Sequence, residues 1–132
     1  MLYALLCFNC QDTVFAWSKE EDEAVMARLD VVHQKLASQG RLGPAARLGP
    51  TTTARTLWKD PQPPAITDGP YAETKEALLG FYLVDCASMD EAMEVARELE
   101  KANPGRGAYE VRPVIHFVDG ALTPEAAAVP AE

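Results

Sequence analysis

Residues 2–8 are apolar at every position, the pattern of a strand covered on both faces. Ser18-Lys19-Glu20-Glu21 then offers a hydroxyl and, three residues on, a carboxylate that can satisfy each other's free backbone amides, so a helix is predicted to start there. Val25, Met26, Leu29, Val32 and Leu36 follow the helical period behind it, and Gly40 supplies a stop. The same grammar returns later in the chain. Residues 81–86 read as a buried strand, Ser88-Met89-Asp90-Glu91 repeats the capping box, and Ala92, Val95, Ala96 and Leu99 form a second apolar stripe. Asn103-Pro104-Gly105 ends that helix, and residues 109–116 read as a last strand, with Pro113 confined to an edge, a bulge or an end. Between the halves, residues 41–48 and 51–58 are strand-like runs separated by Gly49-Pro50, and Ile66-Thr67 leads into Asp68-Gly69-Pro70. Hairpins and an inserted loop are expected there, with residues 59–64 as a hairpin tip.

Strand, helix, strand, twice over, is the split βαβ layout of a ferredoxin-like α+β domain, an antiparallel sheet with two helices on one face. The strands are apolar on both sides, so the bare face needs cover. A second copy of the chain is the simplest cover, giving a homodimer with two sheets face to face. The expected division is one domain over residues 1–117 and a tail over 118–132, either mobile or packed on the partner subunit.

Composition narrows the function. The chain has 132 residues, 48% of them hydrophobic, which suits one compact domain that folds without a structural metal or disulfides. It holds no run of 18 apolar residues and no basic stretch leading into an apolar one at the N-terminus, so a soluble, cytoplasmic protein with no membrane contact is expected. Twenty acidic against 12 basic residues give a net charge of -8, which argues against nucleic acid as a partner. Residues 19–30 hold two basic and five acidic groups, and residues 90–101 the same. The acidity therefore lies on two helices and the tail, while the strands stay near neutral and leave a cleft open to anionic as well as neutral molecules.

Cys7, Cys10 and Cys86 are odd in number, which fits a reducing compartment. Cys7 and Cys10 form a CxxC, but it closes an apolar strand instead of opening a helix, and no second Cys or His pair has metal-site spacing. An ordinary buried-strand role follows.

The densest polar motif is Thr67-Asp68-Gly69-Pro70-Tyr71-Ala72-Glu73-Thr74-Lys75-Glu76. Its Asp-Gly-Pro core is either a tight turn that launches the next strand or a device that presents the Asp68 carboxylate at the sheet rim. His33 falls between Leu29 and Leu36 on the first helix, where it is either a partly buried histidine or a catalytic one. Glu110, Arg112, Val114 and His116 share one strand face. If that face lies inside a dimer, Arg112 there needs an anion, either Glu110 of a neighbouring strand or subunit or a carboxylate or phenolate ligand.

At this motif the chain resembles the YCII-related proteins and, within them, the DGPF-domain subgroup, with Tyr71 where Phe is usual. The likeness extends to Gly40-Arg41-Leu42, Thr52-Thr53-Ala54-Arg55, Leu79-Gly80-Phe81-Tyr82-Leu83-Val84-Asp85 and Glu110-Val111-Arg112-Pro113-Val114. The resemblance implies a dimeric α+β barrel with a cleft between helix and sheet. It also implies an acid/base pair made by the motif's aspartate, here Asp68, and a histidine on the first helix. Counting back from Gly40 places that histidine near Leu29, and His33 stands one turn later on the same face. Two functions follow. The first is a small-molecule lyase or isomerase in which Asp68 and His33 move a proton while Tyr3, Tyr82 or Arg112 holds a substrate oxygen, with no metal or cofactor. The second, from the gene context of the subgroup, is a non-catalytic ligand-binding or regulatory module associated with an extracytoplasmic-function sigma factor.

Overall fold

The apolar opening run forms β1, Leu2–Cys10, the strand on which the rest of the sheet is built. The structure is a computed structural model that describes residues 1–60 and 62–127. A four-residue helix α1, Gln11–Val14, follows β1 directly. Helix α2 spans Lys19–Ser38 and carries both halves of the expected box: Ser18 Oγ accepts from Glu21 N at 3.1 Å, and the Glu21 carboxylate accepts from Ser18 N at 3.2 Å. It ends where Gly40 turns to φ +70, with Arg41 N donating to Leu36 O and Gly40 N to Ala37 O. Strand β2, Leu42–Arg47, leads through a 3₁₀ turn at Thr51–Thr53 to β3, Arg55–Trp58, and β4, Ala65–Asp68. Strand β5, Glu76–Asp85, starts five residues earlier than the apolar pattern indicated. Helix α3, Met89–Ala102, strand β6, Gly107–Pro113, and a short α4, Pro124–Ala127, complete the order.

Four strands form one sheet in the order β2-β5-β1-β6, every pair antiparallel. This is the ferredoxin-like α+β arrangement: each βαβ unit skips one position, which the other unit's strand fills. Strands β3 and β4 stand apart as a two-stranded ribbon with Arg55 opposite Asp68 and Leu57 opposite Ile66. The hairpin expected around residues 59–64 forms as β3 and β4. The strand-like runs on either side of Gly49-Pro50 do not pair with each other: β2 joins β5, and Thr51–Thr53 is a 3₁₀ turn, so the second run is a strand only from Arg55. Residue 61 and residues 128–132 of the expected tail lie outside the described residues.

One core lies between the sheet and the two long helices. Its four largest fully buried side chains, Leu5, Leu36, Val84 and Leu99, come from β1, α2, β5 and α3 in turn. Burial of each stabilises the fold by roughly 1.5–3 kcal/mol. The α3 stripe is buried as expected, but its capping box is not reciprocal. Ser88 Oγ accepts from Glu91 N, whereas the Glu91 carboxylate takes the amide of Ala87 instead of Ser88.

The last strand also stops early. Val114 N still donates to Leu2 O, but β6 ends at Pro113, and His116 lies past the strand and is exposed. The face away from the helices carries Ala4, Leu6 and Phe8 of β1 opposite Leu83, Phe81 and Leu78 of β5. All but Leu78, which is exposed, are partly buried.

Candidate functional site

The sheet's register builds the floor of a cleft. Arg47 of β2 pairs with Gly80 of β5, Gly80 with Cys7 of β1, and Cys7 with Tyr109 of β6, so one cross-strand row runs from edge to edge under the helices. Three strand spacings make that row about 14 Å long. Ala45, opposite Tyr82, and Gly80 are too small to fill the space above them. A bulge then follows, where pairing jumps from Cys7–Gly80 to Phe8–Leu78 and leaves Leu79 as the extra residue. The result is a cleft of about 240 Å³ between α2 and the sheet, walled by Val14, Trp17, Val25, Leu29 and Leu79.

Helix α2 places Met26, Leu29 and His33 over the floor at intervals of three and four. His33 Nε2 lies 2.8 Å from Tyr82 Oη, with the rings tilted by 52°. Burial pushes the Tyr82 hydroxyl up to about 12, and the nearby Cys7 adds to the effect. Tyr109 is raised further, by burial first and then by Cys7, while the Asn103 side chain offsets part of the rise. Cys7 is raised from 9.0 by burial, against a lowering contact with Tyr109. At neutral pH the floor therefore presents two protonated phenols and a protonated thiol. Arg47 sits at the opposite end, where its guanidinium pairs with Asp22 Oδ1 at 2.9 Å.

This geometry sits in a chain whose residues 1–118 match the YCII-related domain. The chain belongs to the YCII-related family. It is also 56% identical, over 122 residues, to the uncharacterized protein R00369 of Rhizobium meliloti (strain 1021), covering 92% of this chain and 98% of that one.

Within this YCII-related chain, the residues singled out in the sequence fall into separate places. His33 and Tyr82 meet in the cleft. Asp68 does not join them: it ends β4 with its carboxylate 93% exposed, 3.6 Å from Arg55 Nε. The signature loop after it lines a separate polar recess of about 320 Å³ with Gln11, Thr51 and Thr52. Tyr3 is buried in the core beside Val84, not in the cleft. Arg112 is exposed on the bare sheet face, its Nε 4.0 Å from Glu110 Oε2 on the same strand.

Cys7 faces the cleft, and strand alternation turns Cys10 to the other side, so the pleat separates the two thiols. Cys10 Sγ is lowered chiefly by hydrogen bonds from Thr13. Cleft residues that sequence reasoning passed over are Asn9, Asn103, Tyr109 and Arg47. Their spacing carried no motif, and only the cross-strand register brings them together. No group of three or more His, Cys, Asp or Glu residues is placed to hold a metal among the described residues, and no helix there is long and apolar enough to cross a membrane.

Proposed function

We propose that the cleft binds a small, largely apolar molecule and that His33 and Tyr82 move a proton on it, in a reaction of lyase or isomerase type. The observation that carries this reading is the 2.8 Å contact between His33 Nε2 and Tyr82 Oη inside apolar walls. An imidazole can take a proton from a carbon or oxygen acid near neutral pH. A phenol held protonated can donate to the oxygen on which charge develops. Apolar walls keep water from competing for either group. Pairing His33 with Asp68 instead requires the β3–β4 ribbon to approach the cleft, or a second copy to supply it; the His33–Tyr82 pair requires neither.

Hydrogen–deuterium exchange tests the chemistry without knowledge of the product. The protein is incubated in D₂O with a panel of ketones, phenols and nitroalkanes, and deuterium uptake is followed by mass spectrometry. Catalysed uptake is expected for at least one compound that binds the cleft, falling roughly a hundredfold or more in His33→Gln and Tyr82→Phe. Uptake that persists in both variants, or cleft binding with no uptake anywhere in the panel, overturns the assignment.

One observation favours a second reading, a binding or regulatory module of the kind associated with an extracytoplasmic-function sigma factor. No carboxylate lines the cleft among the described residues, so His33 has no acidic group there to orient it. Ligand affinity unchanged in His33→Gln, with no exchange in the wild type, belongs to this reading.

The bare sheet face supports a homodimer. Leu6 opposite Phe81 forms its centre, and burying such a face removes apolar area from water. Sedimentation is expected to give a dimer at micromolar concentration and a monomer for Phe81→Lys. A wild-type monomer removes the paired-sheet arrangement.

A further inference from the structure

The end of the cleft farthest from Arg47 holds two side-chain amides that the proton-moving pair does not use. Asn9 is 7% exposed, and its Oδ1 already accepts Cys10 N–H at 2.9 Å, so its NH₂ end is the donor left for the cleft. Asn103 ends α3, lines the same cleft, and has a buried Oδ1 with no hydrogen-bond partner among the described residues. The backbone brings the two together: Cys10 N donates to Arg106 O at 3.2 Å, and Gly107 pairs with Asn9. A buried carbonyl oxygen without a donor is costly to the fold. A ligand that supplies the donor therefore gains more there than at a solvated site.

Charge decides what kind of ligand. Of the residues lining the cleft, Arg47 alone carries a permanent charge, and it is engaged by Asp22 at the other end. An ionised group beside Asn103 loses its water and meets no countercharge. The amide end of the cleft thus selects an uncharged group that brings a donor and an acceptor on neighbouring atoms.

We propose that Asn9 and Asn103 form a subsite for an uncharged carboxamide or lactam edge, its N–H directed to Asn103 Oδ1 and its carbonyl to the Asn9 NH₂. The rest of the ligand lies along the row toward Tyr82 and His33. This subsite rests on the reading of the cleft as a ligand site, and it names the chemistry of one end of that ligand.

Four probes with a common ring, toluene, benzyl alcohol, benzamide and benzoate, test it by titration followed in ¹H–¹⁵N spectra. Benzamide is expected to bind roughly tenfold more tightly than toluene, to exceed benzyl alcohol, and to shift the side-chain NH₂ signals of Asn9 and Asn103. Benzoate is expected to bind more weakly than benzamide. In Asn103→Ala the preference for benzamide over toluene disappears while toluene still binds, which shows that the cleft remains intact. Toluene binding with no preference for benzamide, benzyl alcohol equal to benzamide, or a preference that survives Asn103→Ala overturns the subsite and leaves the cleft as a ligand site. If neither toluene nor benzamide binds, both the subsite and the cleft reading fall.

Discussion

Replacing Gly107 by Ala is expected to destabilise the fold by roughly 2–5 kcal/mol, a fall in Tm of about 10 °C or more. Gly107 opens β6 at φ +138, a backbone conformation that L side chains rarely adopt, and a Cβ there would overlap the Phe8 carbonyl. The obstacle is backbone of β1, the strand on which the sheet is built, so no change of rotamer relieves it. The β1–β6 ladder must open at its first rungs, where Gly107 pairs with Asn9 and Tyr109 with Cys7. Tyr109 then leaves the cleft floor, so benzamide affinity should fall together with stability. Gly40→Ala is the matched control. Its φ is +70 with nothing within 4 Å of the added Cβ, so only the conformational penalty remains, about 1 kcal/mol. Thermal melts of the two variants decide the matter; equal losses would show that the Phe8 contact costs nothing.

The contrast between these glycines also marks what the sequence could reveal. Gly40 was legible because a helix stop is local: the apolar stripe ends, glycine follows, and the two closing hydrogen bonds reach back only a few residues. The Ser18 box and the α3 stripe are local in the same sense, and from them the two βαβ units and the ferredoxin-like layout follow. Gly107 carries no such signal, because what makes it glycine is the carbonyl of Phe8, 99 residues away. The cleft is non-local throughout. His33 and Tyr82 were both singled out, but one as a proton carrier and the other as a substrate holder, and their contact depends on how α2 crosses β5. Asn103 was legible as a helix stop, which it is, and Asn9 carried no signal of its own. Their shared role arises where the turn after α3 meets the end of β1. The signature loop shows the opposite case. Its residues are conspicuous in the sequence, yet they line a recess of their own, apart from His33.

Alkaline pH is expected to unfold the protein by way of the same cleft floor. In the unfolded chain Tyr82 and Tyr109 lose their protons near pH 10. In the fold, burial holds Tyr82 up to about 12 and pushes Tyr109 higher still. Between those limits the folded state binds more protons than the unfolded state, so stability falls as pH rises. The contribution is fully present below pH 10, is lost progressively through pH 12, and continues to fall as Tyr109 titrates. Cys7, raised from 9.0 by burial, begins the same loss earlier. Tyr82 alone contributes at most about 2 kcal/mol once its partial exposure to solvent is discounted. Urea midpoints followed by circular dichroism from pH 8 to 11.5 should show a steep decline above pH 10 in the wild type. The decline should be shallower in Tyr82→Phe and shallower again in Tyr82→Phe/Tyr109→Phe. An unchanged slope in the double variant would show that the two phenols do not carry the alkaline loss. In the wild type, ionisation of Tyr82 places a negative charge 2.8 Å from His33 and removes the donor from the floor. Proton exchange by the molecules still folded should therefore persist while stability declines above pH 10 and fail only toward pH 12, where Tyr82 itself loses its proton.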